Sequence, residues 1–169
     1  MNASSLRTAA LLAVAVLISL MHPGFPASAR TGNVFEIRNP ANFRCLGYST
    51  SGLLQVAPCF PVGAAGFRWQ WQIHQGRQYL VNMENTHCVK LAPDGTYYLA
   101  LLPCDYRPDA PGLDDQWVQV GKRIMFRGSA GPDGICLTRQ ANHGVNTDVV
   151  TDGCRDELTR EQEWDFVAR

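Results

Sequence analysis

Six cysteines fall along this chain as three successive pairs, and a tryptophan trails each pair. The pairs Cys45/Cys59, Cys88/Cys104 and Cys136/Cys154 enclose 13, 15 and 17 residues. Trp71, Trp117 and Trp164 follow at intervals of 46 and 47 residues. Spacing of this kind marks an array built from one supersecondary unit. It places three repeats near 33–76, 77–121 and 122–169.

Each repeat reads as strands. The openings are Val34–Arg38, Gln78–Val81 and Arg123–Arg127. Leu54-Gln55-Val56, Leu99-Ala100-Leu101 and Val149-Val150-Thr151 precede the second cysteines, and Trp71–Ile73, Trp117–Val120 and Trp164–Val167 close the units. About four short strands per unit, broken by Gly, Pro, Asn and Asp, predict an all-β fold. Fifteen glycines and ten prolines suit turns better than a helical bundle. No four-stranded unit buries a core alone, whereas three around a threefold axis share one, with the tryptophans at its centre.

Residues 1–29 read as an export signal: Arg7, the apolar run Ala9–Leu20, the breakers Pro23, Gly24 and Pro26, then Ala27-Ser28-Ala29. Twelve residues are too few for a bilayer span of about 20. The expectation is a secreted or periplasmic domain over 30–169. An oxidising compartment turns the six cysteines into three disulfides, one per repeat. No two cysteines stand at zinc-motif spacing. Each bridge closes a loop of about 15 residues, worth about 3 kcal/mol.

Fifteen basic and fifteen acidic residues leave no basic field for nucleic acid. No nucleotide-binding or hydrolase motif occurs, and His74, His87 and His143 fall in three different repeats. The expectation is a non-enzyme without metal or cofactor.

The repeat ends carry a further pattern: Gln162-Glu163-Trp164, Asp115-Gln116-Trp117 and Trp69-Gln70-Trp71. The first cysteines open Cys45-Leu46-Gly47, Cys88-Val89-Lys90 and Cys136-Leu137-Thr138. In these motifs, over Asn33–Val167, the chain resembles the ricin B-type β-trefoil lectins, with their Gln-x-Trp and Cys-Leu-Asp signatures. It is also similar to the trefoil A and C subunits of cytolethal distending toxins. The resemblance implies a β-trefoil of three four-stranded repeats that binds a glycan or glycoconjugate on a cell surface or polysaccharide. Its alternative implication is a protein-interaction or cell-targeting subunit of a secreted multi-component toxin or enzyme, docking through the aromatic loop of the first repeat.

In that family an Asp two residues after the first Cys, an aromatic two before the second, and polar residues before the Trp hold the sugar. Here the Asp position holds Gly47, Lys90 and Thr138, and the stacking position Ala57, Leu102 and Asp152. The pairs before the tryptophans are Arg68 and Trp69, Asp114 and Asp115, and Glu161 and Gln162. Any sugar site is therefore non-standard. Its candidates are Thr138, Asn142, Asp152 and Gln162 of the third repeat, with Gln55 of the first. The third repeat has the richest polar loop, with Arg139, His143, Asn146 and Asp148 beside them.

The apolar loop Phe60–Trp69 has two readings. Phe60, Phe67 and Trp69 form an exposed interaction patch, or they fold back over one barrel end. Tyr97 and Tyr98 are read as a strand pair, one ring in and one out, rather than as a binding site.

Overall fold

The computed structural model describes residues 32–59, 65–92, 97–106, 115–127, 134–140, 147–155, 157 and 159–169. Among these, twelve strands and one 3-10 turn (Ala65–Phe67) form. The first repeat carries β1 (Val34–Asn39), β2 (Arg44–Tyr48), β3 (Leu54–Ala57) and β4 (Trp69–His74). The second carries β5 (Arg77–Asn82), β6 (His87–Leu91), β7 (Leu99–Pro103) and β8 (Trp117–Val120). The third carries β9 (Arg123–Phe126), β10 (Ile135–Arg139), β11 (Thr147–Gly153) and β12 (Asp165–Ala168).

The register repeats with the sequence. Arg38 pairs with Cys45, Val81 with Cys88 and Met125 with Cys136, so the first two strands of every repeat meet at its first cysteine. Antiparallel ladders join β12 to β1, β1 to β4, β4 to β5, and β8 to β9. The β4–β5 hairpin turns through Gln75 and Gly76, both at positive φ, which matches the twist of the flanking strands. Trp164 N donates to Lys122 O at 2.9 Å and brings the start of β12 to β9. Three hairpins, β2–β3, β6–β7 and β10–β11, complete the fold. They are tied to one another by the β3–β11 ladder and by the bridges Leu53–Ala100 and Tyr98–Val150. This is a β-trefoil.

Its core is three copies of one set of contacts. Ile37, Leu80 and Ile124 point inward one residue before the cysteine partners, and Leu46, Val89 and Leu137 directly follow the first cysteines; all six are buried. Each repeat's tryptophan is bolted to that second layer. The indole Nε1 of Trp69 donates to Leu46 O at 2.9 Å, that of Trp117 to Val89 O at 2.9 Å, and that of Trp164 to Leu137 O at 3.0 Å. A buried indole N–H needs such a partner.

The geometry corrects the sequence register in the first repeat. Trp69, not Trp71, is the counterpart of Trp117 and Trp164. Trp71 is buried too, but two residues further along β4, with its rings against Phe35 and Phe166 and its Nε1 without a partner. Residues 69 and 71 share one strand face, and a spacing argument cannot tell two inward tryptophans apart.

The disulfides are Cys45–Cys59, Cys88–Cys104 and Cys136–Cys154, with Cα separations of 5.0, 4.9 and 5.0 Å. The expected pairing holds in all three repeats. On β1, buried Glu36 is clamped by Arg169 at 2.6 Å and Arg38 at 2.9 Å, which anchors the strand end beyond β12. Burial works to raise its carboxyl, but hydrogen bonds from Arg169 and Arg38, with their charges, outweigh this and hold it below the ordinary carboxylate value.

Candidate functional site

The threefold repeat presents the same two positions three times: two residues after the first cysteine, and two residues before the repeat's tryptophan. The pairs are Gly47 with Phe67, Lys90 with Asp115, and Thr138 with Gln162. Each pair is a matched contact, and each leaves a different amount of room.

In the first repeat the pair is a plug. A Cβ on Gly47 would stand 2.6 Å from Phe67 Cε1 and 2.8 Å from Cδ1, so the ring occupies the space of any side chain at 47. Nearby, Tyr48 OH donates to Glu84 Oε2 at 2.6 Å. Burial, then that hydrogen bond and the Glu84 charge, push the Tyr48 phenol up to about 12.

In the second repeat the pair is an ion pair. Lys90 Nζ lies 3.3 Å from Asp115 Oδ2, with both side chains nearly enclosed, and Asp105 N donates to the same carboxylate oxygen at 3.3 Å. Beside it Tyr106 packs on Tyr79 and His74, and its hydroxyl donates to Gln72 Oε1 at 3.1 Å.

In the third repeat the pair is a floor. Gln162 is fully buried; its Nε2 donates to Thr138 Oγ1 at 3.1 Å and to Gly153 O at 2.8 Å, while its Oε1 accepts from Arg155 N at 3.1 Å. The Thr138 hydroxyl donates to Cys136 O at 3.1 Å. Beside this bolted layer opens a cavity of about 640 Å³, within the range of small-molecule sites. Its walls include Val150 and Ile135, with Arg139, Glu161, Asp152 and Arg155 supplying charge and Tyr97 reaching in from the second repeat.

The charged groups are paired loosely. Arg139 Nη2 stands 3.7 Å from Glu161 Oε1, and Arg155 Nη2 stands 3.6 Å from Asp152 Oδ2, both beyond hydrogen-bond reach. Arg139 is mostly enclosed, and its buried Nε has no hydrogen-bond partner. The cavity therefore holds donors and acceptors whose hydrogen bonds are not spent on one another.

The structure sorts the sequence candidates. Asp152 stands at the cavity. Gln162 and Thr138 line or underlie the same place, but their polar atoms are consumed in the floor, so they position the site rather than contact a ligand. Gln55 is on β3 across from Asp148 and does not line the cavity. Asn142, with His143 and Asn146, lies outside the described residues, as do Phe60 and Asp114. The exposed patch of the first repeat is not supported by its other two members. Trp69 is fully buried because it is the repeat's core indole, and Phe67 is half-buried with its ring against Gly47.

Sequence reasoning missed Tyr97 and Glu161 as cavity residues. Tyr97 and Tyr98 are both exposed, at 76% and 38%, so the one-in, one-out expectation fails. The register held the signal: Tyr97 stands two residues before Leu99, as Gly52 does before Leu54, at a hairpin tip that reaches the next repeat.

No protein-family model matches the chain, and no curated protein matches it. Solved structures do. The mdaA-1 domain superposes with a TM-score of 0.65 at 17% identity, over 83% of this chain and 94% of that one. The C-terminal domain of an earthworm lectin, a mutant in complex with 6′-sialyllactose, gives 0.62 at 13%, over 81% and 99%. A chain of the Haemophilus ducreyi cytolethal distending toxin gives 0.61 at 14%, over 80% and 83%. At these identities the likeness is one of fold: the chain is a β-trefoil of the kind its Cys–Cys–Trp repeats resemble, shared with an earthworm lectin and with cytolethal distending toxin.

Proposed function

We propose that this chain is an exported carbohydrate-binding module, with no catalytic step, whose site is the third-repeat cavity. One observation carries the reading. The cavity opens where the resemblance places a sugar, and its loosely paired Arg139–Glu161 and Arg155–Asp152 groups keep hydrogen bonds to offer. A sugar hydroxyl both donates and accepts, so it satisfies a guanidinium and a carboxylate together. The lectin fold of the neighbours supports the class, and three disulfides suit an oxidising compartment reached through the signal at residues 1–29. The partner is a glycan or glycoconjugate on a cell surface or polysaccharide.

The likeness to cytolethal distending toxin favours one second reading, a targeting subunit of a secreted assembly, in which the same cavity serves attachment.

A glycan array tests the proposal. The chain should bind a defined subset of glycans, and Asp152→Ala and Glu161→Gln should each weaken binding about tenfold, the loss of one charge-assisted hydrogen bond. Both side chains are partly exposed, so the fold should survive. An array without any binding, or binding indifferent to both variants, contradicts the proposal. Gln162→Ala is a poorer probe, because it opens the floor as well as the site.

A further inference from the structure

The three hairpins hold equivalent residues at equivalent places, and one of them is out of character. Gly52 O accepts from Leu101 N at 2.9 Å, Tyr97 O accepts from Thr151 N at 2.8 Å, and Thr147 pairs with Val56. Each thus presents a side-chain position beside the end of the next repeat's inner strand. Gly52 offers none to the second repeat. Tyr97 offers the third repeat an aromatic ring, 76% exposed and on the wall of its cavity. The aromatic stands against the repeat whose paired positions form a floor; the other two pairs are the Phe67 plug and the Lys90–Asp115 ion pair.

Tyr97 is also held. Its carbonyl takes a second hydrogen bond, from Thr151 Oγ1 at 3.2 Å, and Tyr98 bridges to Val150. Thr151 directly precedes Asp152, the residue that stands where the family keeps its own stacking ring. Asp152 cannot stack; the ring one hydrogen bond away can.

The charges add a second constraint. Among the described residues, the cavity's charged side chains are Arg139, Arg155, Asp152 and Glu161, two of each sign, and these sum to zero. An anionic ligand here would meet two carboxylates, and a cationic one two guanidinium groups. A neutral ring of hydroxyls meets matched donors and acceptors instead.

We propose that the site is assembled across the repeat boundary: an uncharged pyranose stacks on Tyr97 of the second repeat while its hydroxyls insert between Arg139 and Glu161, and between Arg155 and Asp152, of the third. This rests on the reading of the cavity as a saccharide site. Tyr97 is then the residue that sets selectivity for a ring with an apolar face, and the balanced charges exclude acidic saccharides.

Titration calorimetry with the full exported chain and the best neutral saccharide from the array tests it. Tyr97→Ala should weaken binding about tenfold, Tyr97→Trp should keep it, and Tyr98→Ala, outside the cavity wall, should leave it unchanged. The same saccharide with its primary alcohol oxidised to a carboxylate should bind about tenfold more weakly or worse. Wild-type affinity in Tyr97→Ala, or equal or tighter binding of the acidic form, overturns this inference while leaving the saccharide site standing. Failure of the unaltered chain to bind any saccharide overturns both.

Discussion

Trp69→Ala is expected to lower the free energy of unfolding by about 3–5 kcal/mol, the cost of emptying a fully buried aromatic site. Trp164→Ala should cost about the same, because both indoles fill the same place and donate to the same carbonyl of their repeats. Trp71→Phe should change stability by less than about 1 kcal/mol. The smaller ring loses contacts, but it also removes a buried N–H that has no partner. The counterpart of Trp71 in the third repeat is Phe166, so the fold already holds a phenyl ring there. Urea unfolding with the disulfides intact, followed by circular dichroism, separates the two. A larger loss for Trp71→Phe than for Trp69→Ala would mean that the register of the first repeat is assigned to the wrong tryptophan.

The second large effect concerns the ion pair that fills the second repeat. Lys90→Met leaves the Asp115 carboxylate enclosed with its cation gone, and such a loss costs about 3–5 kcal/mol. Replacing both partners, Lys90→Met with Asp115→Leu, should recover most of it, since a buried pair exchanged for apolar groups of similar size is often near neutral. The double-mutant cycle in urea measures the coupling. Additive losses would show that Lys90 and Asp115 do not depend on one another. Saccharide binding should be the same in the double variant as in the parent, because neither residue lines the third-repeat cavity.

What the sequence disclosed, and what it hid, follow from the range of the interactions. Cysteine spacing is local, and each disulfide joins residues within one repeat, so the pairing and the threefold all-β design were legible. The floor pairs were half legible. Lys90 and Asp115, or Thr138 and Gln162, each appeared as a departure from a family pattern, but that the two departures touch is a fact of packing. Gln162 looked like a surviving sugar ligand because it keeps the family's residue type. Only the fold shows its amide fully used by Thr138, Gly153 and Arg155. Tyr97 was hidden for the opposite reason: its role lies in a neighbouring repeat, 54 residues from the Thr151 that fixes it. Trp69 was misplaced because two tryptophans stand on one strand face and alternation favours both equally.

On the proposed reading, the trefoil's binding site is the third-repeat cavity, walled on one side by Tyr97 of the second repeat. Backbone amide NMR of the chain, titrated with the best saccharide from the array, locates it. The largest shifts should fall on Tyr97, Arg139, Thr151, Asp152 and Glu161, with Gly47 and Lys90 unmoved. Shifts centred on Gly47 and Phe67, or around Lys90 and Asp115, would contradict it.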